Sequence, residues 1–192
     1  MERTAAIERN TKETQVSVCV DLDGGEVKVS TGIGFFDHML TAFGFYAKMG
    51  LVVKVTGDLE VDGHHTVEDT GIVLGQAIQK ALGDRKGIRR FGSCYVPMDE
   101  ALTFTALDFS NRPYLVFDAP MPQERIGEYD SCLTVEFMRA LAMNCGLTLH
   151  QKCFYGANAH HITEGLFKSL GMAIRDAVQV QGDGVTSTKG VL

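Results

Sequence analysis

The sequence predicts an α+β fold made from one unit used twice, with two β-sheets each covered by helices. The first observation behind this is self-similarity at an offset of 96 residues: His64, His65 and Glu68 recur as His160, His161 and Glu164. The match runs on without a gap, pairing Gly75 with Gly171, Ala77 with Ala173, Ile78 with Ile174 and Ala81 with Ala177. Upstream it pairs Gly50 with Gly146 and Leu51 with Leu147. The second observation is that strand and helix periodicities alternate in the same order in both copies: strands, helix, strand, helix. The copies divide at residues 1–96 and 97–192, as halves of one compact domain.

Each half opens with two strand runs, "TQVSVCV" and "EVKVS" in the first, "ALTFTALDF" and "PYLVFD" in the second. A helix is expected over Phe36 to Met49 and again over Cys132 to Asn144, followed by the strands "LVVKVTG" and "LTLHQKCF". Asp62 and Asn158, opposite one another in the repeat, are suitable N-caps for the helices that begin at the two histidine pairs. After the second pair, Leu166, Phe167, Leu170, Ala173, Ile174, Ala177 and Val178 recur at three and four residues, the stripe of an amphipathic helix. Ile72, Leu74, Ile78, Ala81 and Leu82 give the same stripe less cleanly in the first copy, ending at Gly83.

Composition narrows the function classes. Apolar residues make up 45% and charged residues 22%, which is a folded chain, and the net charge of −6 disfavours nucleic acid or an anionic membrane as a general partner. An anionic small molecule remains compatible, because a few local Arg and Lys residues can bind it. The polar start "MERTAAIERNTKET" is not a signal peptide, and no apolar run approaches a membrane span. The five cysteines are scattered without a CxxC spacing, as expected of reduced thiols in a cytoplasmic protein, most of them small core hydrophobes.

The histidine clusters carry the chemistry. On a helix starting at its cap, His64 and Glu68 lie one turn apart on one face, while His65 sits about 100° round from His64. Adjacent histidines therefore address two different sites. Two such clusters favour two metal ions, each drawing ligands from both halves or from neighbouring subunits. Imidazole plus carboxylate without thiolate suits Mn²⁺, Fe²⁺, Ni²⁺ or Zn²⁺ in a site that is not a structural zinc site. His38, in "GFFDHML", is the obvious further ligand; His150, opposite Lys54 in the repeat, is more readily structural.

"VDGHHTVEDTGIVL" and "GANAHHITEGLFK" resemble the two signature segments of the imidazoleglycerol-phosphate dehydratase family. "RNTKET", "GFFDHML", "DFSNRPYL", "RALA" and "TSTKG" resemble further family segments in the same order, so the likeness covers almost the whole chain. It implies a hydro-lyase of histidine biosynthesis that turns imidazole glycerol phosphate into imidazole acetol phosphate. It further implies two Mn²⁺ ions per active site, one on each ring nitrogen, favouring a substrate imidazolate and a diazafulvene-like intermediate. The implied assembly is a homo-oligomer of 24 subunits, built from trimers, with active sites shared between subunits.

Carried over position by position, the resemblance implies His38, His64, His65, Glu68, His160, His161 and Glu164 as metal ligands. Glu136, in "TVEFMRALA" where the family often holds His, is the eighth, with His150 as the fallback. Glu13, in "TKET", matches the catalytic acid/base, and Glu164 can also relay protons. Arg90, Arg112, Lys168, Ser187 and Lys189 would bind the substrate phosphate. Lys168 lies one helical turn beyond Glu164, so an ion pair between them is the plainer alternative. "TSTKG" is expected to order on substrate or against a neighbouring subunit, and the segment "LTAFGFYAKMG" after His38 fits the family less well.

Two rivals compete. "VSVCVDLDGGEV" resembles the nucleophile motif of haloacid-dehalogenase-type phosphatases, but Asp-Gly and Gly-Gly between alternating strands also signal a hairpin turn, which is the better reading. A metal-storage or metal-assembled protein would use the histidines only to join subunits, leaving Glu13 and the phosphate-binding set without a purpose.

Overall fold

A computed structural model of the chain describes residues 2–190. In the first half, β1 (Thr4–Asn10), β2 (Thr14–Asp21), β3 (Val27–Ser30), α1 (Gly34–Ala47), β4 (Gly50–Gly57) and α2 (His64–Leu82) follow in order. The second half repeats them as β5 (Phe91–Met98), β6 (Ala101–Asp108), β7 (Tyr114–Asp118), α3 (Leu133–Cys145), β10 (Thr148–Tyr155) and α4 (Ala159–Ala177). Its one addition is a small hairpin before α3, β8 (Arg125–Ile126) with β9 (Tyr129–Asp130). The two four-stranded sheets share one topology, β1-β2-β4-β3 and β5-β6-β10-β7. In each, the third strand pairs parallel with the fourth and the remaining pairs are antiparallel.

This topology corrects the hairpin expected at Asp21-Leu22-Asp23-Gly24. β4 lies between β2 and β3, so the segment is a tight turn leading to a strand that is not its neighbour. Gly24 (φ 127°) and Gly25 (φ 141°) supply backbone geometry that side chains resist, and Asp23 pairs with Arg3. The first strand of each sheet was not legible. β1 offers little apolar alternation, and β5 carries Gly92 and Pro97, which suit an edge strand.

Each strand at a sheet centre alternates buried and exposed residues, as in β2 with Val16, Val18 and Val20 inside, so each sheet covers only one face. The helices fill the space between. α2 packs on the first sheet and α4 on the second, but α1 packs against α4 and α3 against α2, across the halves. Gly75 and Gly171, repeat mates, permit these crossings: a Cβ on Gly75 would lie 2.8 Å from the Leu141 carbonyl, and one on Gly171 2.6 Å from the Phe43 carbonyl. One continuous apolar core results, with Phe36, Phe137 and Phe167 packed ring to ring between α1, α3 and α4. Of the cysteines only Cys145 and Cys153 are buried; Cys19 and Cys132 are exposed, so the expectation that most fill the core is corrected. Among the described residues no helix is long and apolar enough to cross a membrane.

Candidate active site

Both histidine pairs stand at helix starts with an acceptor nearby; Asn158 is the N-cap of α4 as expected, but the N-cap of α2 is Gly63 and not Asp62, which lies one residue further out. Asp62 Oδ1 accepts from the His64 amide at 2.7 Å and Asn158 Oδ1 from the His160 amide at 2.9 Å. The helix starts converge: Gly63 packs against Ile33 and Leu133, and the Phe35 ring meets the His160 ring edge-on at 4.9 Å.

The cross-half packing of α1 on α4 delivers His38 to the second cluster. His160 Nε2 lies 3.1 Å and His38 Nε2 3.5 Å from Glu164 Oε2. One donor atom from each of the three residues falls within 4.8 Å of the others. Ligands about one ion, with bonds of about 2.0–2.2 Å, lie up to about 4.4 Å apart, so this donor set fits a divalent cation after slight contraction. Glu164 is buried, and its Oε1 meets Lys168 Nζ at 2.7 Å. Burial pushes the Glu164 carboxyl up, but Lys168, His38 and His160 outweigh it and the net shift is downward.

The other predicted ligands are placed apart from that trio. His64 Nε2 lies 3.5 Å from Glu68 Oε2 as an exposed pair. His65 does not turn to Glu68: its Nδ1 lies 3.0 Å from Asp58 Oδ2, and its Nε2 3.8 Å from Glu13 Oε2. The His161 Nδ1 lies 2.6 Å from Glu100 Oε2 and its Nε2 3.6 Å from Asp99 Oδ2. The Asp58 hydrogen bond raises the His65 pKa, and the Glu100 bond raises that of His161. In turn His161 and the amides of Ala157 and Asn158 bring the Glu100 carboxyl down to about 2. Glu136 pairs with Arg139 on α3, and His150 stands exposed on the open face of the second sheet. One chain thus gathers three donors and leaves the rest in separate groups.

Four of the five predicted phosphate-binding residues meet. Arg90, Arg112, Ser187 and Lys189 line a cavity of about 430 Å³ together with Ser110 and Asn111. Arg90 is aimed by a two-point contact with Asp108, Nε to Oδ1 at 2.6 Å and Nη2 to Oδ2 at 2.9 Å. Its Nη1 donates to the Thr186 carbonyl at 2.7 Å, and the Thr186 hydroxyl donates to the Ile88 carbonyl at 2.8 Å. Thr186, the first residue of the "TSTKG" segment, is therefore tied to Arg90 and Ile88 of its own chain. Lys168 is the fifth, and it stays with Glu164. Sequence reasoning passed over Asp58, Asp99 and Glu100, acidic residues in turns after strands, and Ser110 and Asn111, whose adjacency to Arg112 was the available signal.

Residues 31–174 match the family model described as imidazoleglycerol-phosphate dehydratase. The chain belongs to that family. The imidazoleglycerol-phosphate dehydratase of Acetivibrio thermocellus is 53% identical over 195 residues, covering 100% of both chains. That of Ruminiclostridium cellulolyticum is 54% identical, covering 99% of this chain and 100% of its own. Among solved structures, the dehydratase of Staphylococcus aureus superposes with a TM-score of 0.85 at 36% identity, over 93% of this chain and 99% of its own. The Pyrococcus furiosus enzyme, in complex with (S)-C348, gives 0.85 at 40% identity over 97% and 100%. Membership of the dehydratase family makes the chain a hydro-lyase of histidine biosynthesis.

Proposed function

We propose that this dehydratase converts imidazole glycerol phosphate to imidazole acetol phosphate and water, using two divalent cations, Mn²⁺ first among them. The observation that carries the reading is the convergence of His38, His160 and Glu164 within 4.8 Å. Divalent cations held by these residues would act as Lewis acids toward the substrate's imidazole, lowering its N–H pKa and favouring loss of hydroxide from the neighbouring carbon.

The chain's own residues do the rest. His38, His160 and Glu164 hold one position, and His64, His65, Glu68, His161 and Glu136 supply the remaining ligands from a second subunit. Lys168 keeps Glu164 ionised and so ready to bind a cation. Glu13, near the free edge of His65, moves the proton on the substrate's carbon chain and so drives formation of the enol that becomes the ketone. Arg90, Arg112, Ser187 and Lys189 hold the phosphate, which fixes the distance from the anion to the reacting carbons. Lys168 would join them from a neighbouring subunit.

The assembly in this reading is a homo-oligomer of 24 subunits built from trimers, in which another chain would complete the separate ligand groups of this one. The location is cytoplasmic, consistent with five free cysteines. Product formation by chelator-stripped protein, with and without added Mn²⁺, tests the reading. Turnover that returns with Mn²⁺ is expected. Metal-bound, folded protein without turnover would favour a protein that uses metal only for assembly.

A further inference from the structure

We infer that Asp58 and Glu100 are positioning residues, each holding the Nδ1 proton of one repeat-mate histidine so that its Nε2 lone pair faces a cation. The inference rests on the metal-dependent reading above. An ionised carboxylate only accepts hydrogen bonds, so a ring nitrogen 2.6 Å from Glu100 Oε2, or 3.0 Å from Asp58 Oδ2, must carry the proton. In a neutral ring the other nitrogen then keeps its lone pair. At both histidines that nitrogen faces a further carboxylate beyond hydrogen-bond distance, Glu13 at 3.8 Å and Asp99 at 3.6 Å.

The two holding carboxylates are not repeat mates. Asp58 follows β4, whereas Glu100 sits in the turn between β5 and β6, whose counterpart in the first half is the β1–β2 turn carrying Glu13. The same contact on His65 and His161 is thus built from two unrelated places in the unit. Duplication alone does not produce that. A shared demand on the ring orientation does.

The surroundings of the two carboxylates make the test sharp. Glu100 Oε1 also accepts from the amides of Ala157 at 3.1 Å and Asn158 at 2.9 Å. In Glu100→Gln the amide oxygen must stay with those two donors, which turns the NH₂ toward His161 Nδ1. The ring must then shift its proton to Nε2 and lose the lone pair there. Both Asp58 oxygens instead lie near His65 Nδ1, at 3.0 and 3.2 Å, so Asp58→Asn can keep its amide oxygen on the ring.

The experiment measures Mn²⁺ affinity of the full chain by the electron paramagnetic resonance of free Mn²⁺, with circular dichroism to follow folding. Glu100→Gln is expected to weaken binding about 10–100-fold and by more than Glu100→Ala, which leaves the tautomer free. Asp58→Asn is expected to keep more of the Mn²⁺ affinity than Asp58→Ala, because its amide oxygen can still hold the ring. A purely structural Glu100 predicts the reverse order, with alanine the worse, and that order overturns the inference. Should Glu100→Gln fail to fold, equal affinities for Asp58→Ala and Asp58→Asn overturn it instead. If the unchanged protein binds no Mn²⁺, the metal-dependent reading itself falls.

Discussion

The starts of α2 and α4 are copies of one sequence motif placed in different company. At α4, His160 and Glu164 receive His38 from α1 across the halves, and Lys168 closes over the buried carboxylate. At α2, His64 and Glu68 form an exposed pair, with side chains 42% and 45% accessible. The repeat explains the difference residue by residue. Counted from the left-handed caps that end α1 and α3, Lys48 and Gly146, the counterpart of His38 is Glu136, which pairs with Arg139, and the mate of Lys168 is Ile72. Duplication therefore supplied two equal scaffolds, a capped helix with a histidine pair, while later divergence made one of them a self-contained three-donor site. Among the described residues no third donor joins His64 and Glu68 at the other.

The largest expected effect lies in the first half, at the hairpin turn carrying Glu13. Glu13→Gln should lower turnover about 10²–10⁴-fold while leaving bound Mn²⁺ unchanged, because the side chain is exposed and stands 3.8 Å from His65 Nε2. Steady-state kinetics beside metal analysis would check it. Near-normal turnover would remove Glu13 from the chemistry.

Next in size is a stability contrast between the two helix starts. In metal-free protein, Glu164→Ala should cost about 2–3 kcal/mol, because it strands Lys168 with only 16% of its side chain accessible. Glu68→Ala should cost under about 1 kcal/mol, since it removes only an exposed pair. Urea unfolding in the presence of chelator compares them, and equal losses would mean that burial at α4 confers no special role on Glu164.

How much of this was legible in the sequence follows from which contacts are local. The repeat, the Asn158 cap and the one-turn spacing from histidine to glutamate are short-range features, so the helix starts and their donors could be read directly, the cap of α2 excepted. His38 meeting Glu164 depends on α1 crossing to the other half, which no spacing announces. Asp58 and Glu100 were missed for a similar reason: each lies in a turn whose distance from its histidine is set by sheet register. The missed β1 and β5 are edge strands, where burial on one side of one neighbour leaves weak alternation.

The interhelical crossings offer a finer contrast. Gly171→Ala and Gly75→Ala should each destabilise by about 1–2 kcal/mol, overpacking being partly offset by the better helix propensity of alanine. Gly171→Ala should be the worse, because its Cβ meets backbone on both near contacts, the Phe43 carbonyl at 2.6 Å and the Ala47 amide nitrogen at 3.0 Å. At Gly75 one near neighbour is the Asn144 Cβ at 2.9 Å. Thermal unfolding of the pair would show the order, and its reversal would mean that α2 and α3 are the more rigid partners.

The smallest effect separates the metal-free from the metal-bound molecule by pH. The hydrogen bonds from Asp58 and Glu100 raise His65 and His161 above the ordinary value of 6.5, so their pairing stabilises the metal-free fold below 6.5 and is lost as pH rises through the raised values. Glu100, brought from 4.5 down to about 2, contributes above 4.5 and loses that contribution as pH falls toward about 2. The His161–Glu100 pair therefore favours the metal-free fold most between 4.5 and 6.5. Mn²⁺ needs the neutral rings, so as pH falls proton competition should already weaken its binding before pH 6.5 is reached, and its stabilisation of the fold grows as pH rises. Unfolding midpoints followed from pH 4.5 to 8 should shift in opposite directions with chelator and with Mn²⁺. Parallel curves would show that neither pair is coupled to a cation, and the contrast between the two helix starts would then be one of packing alone.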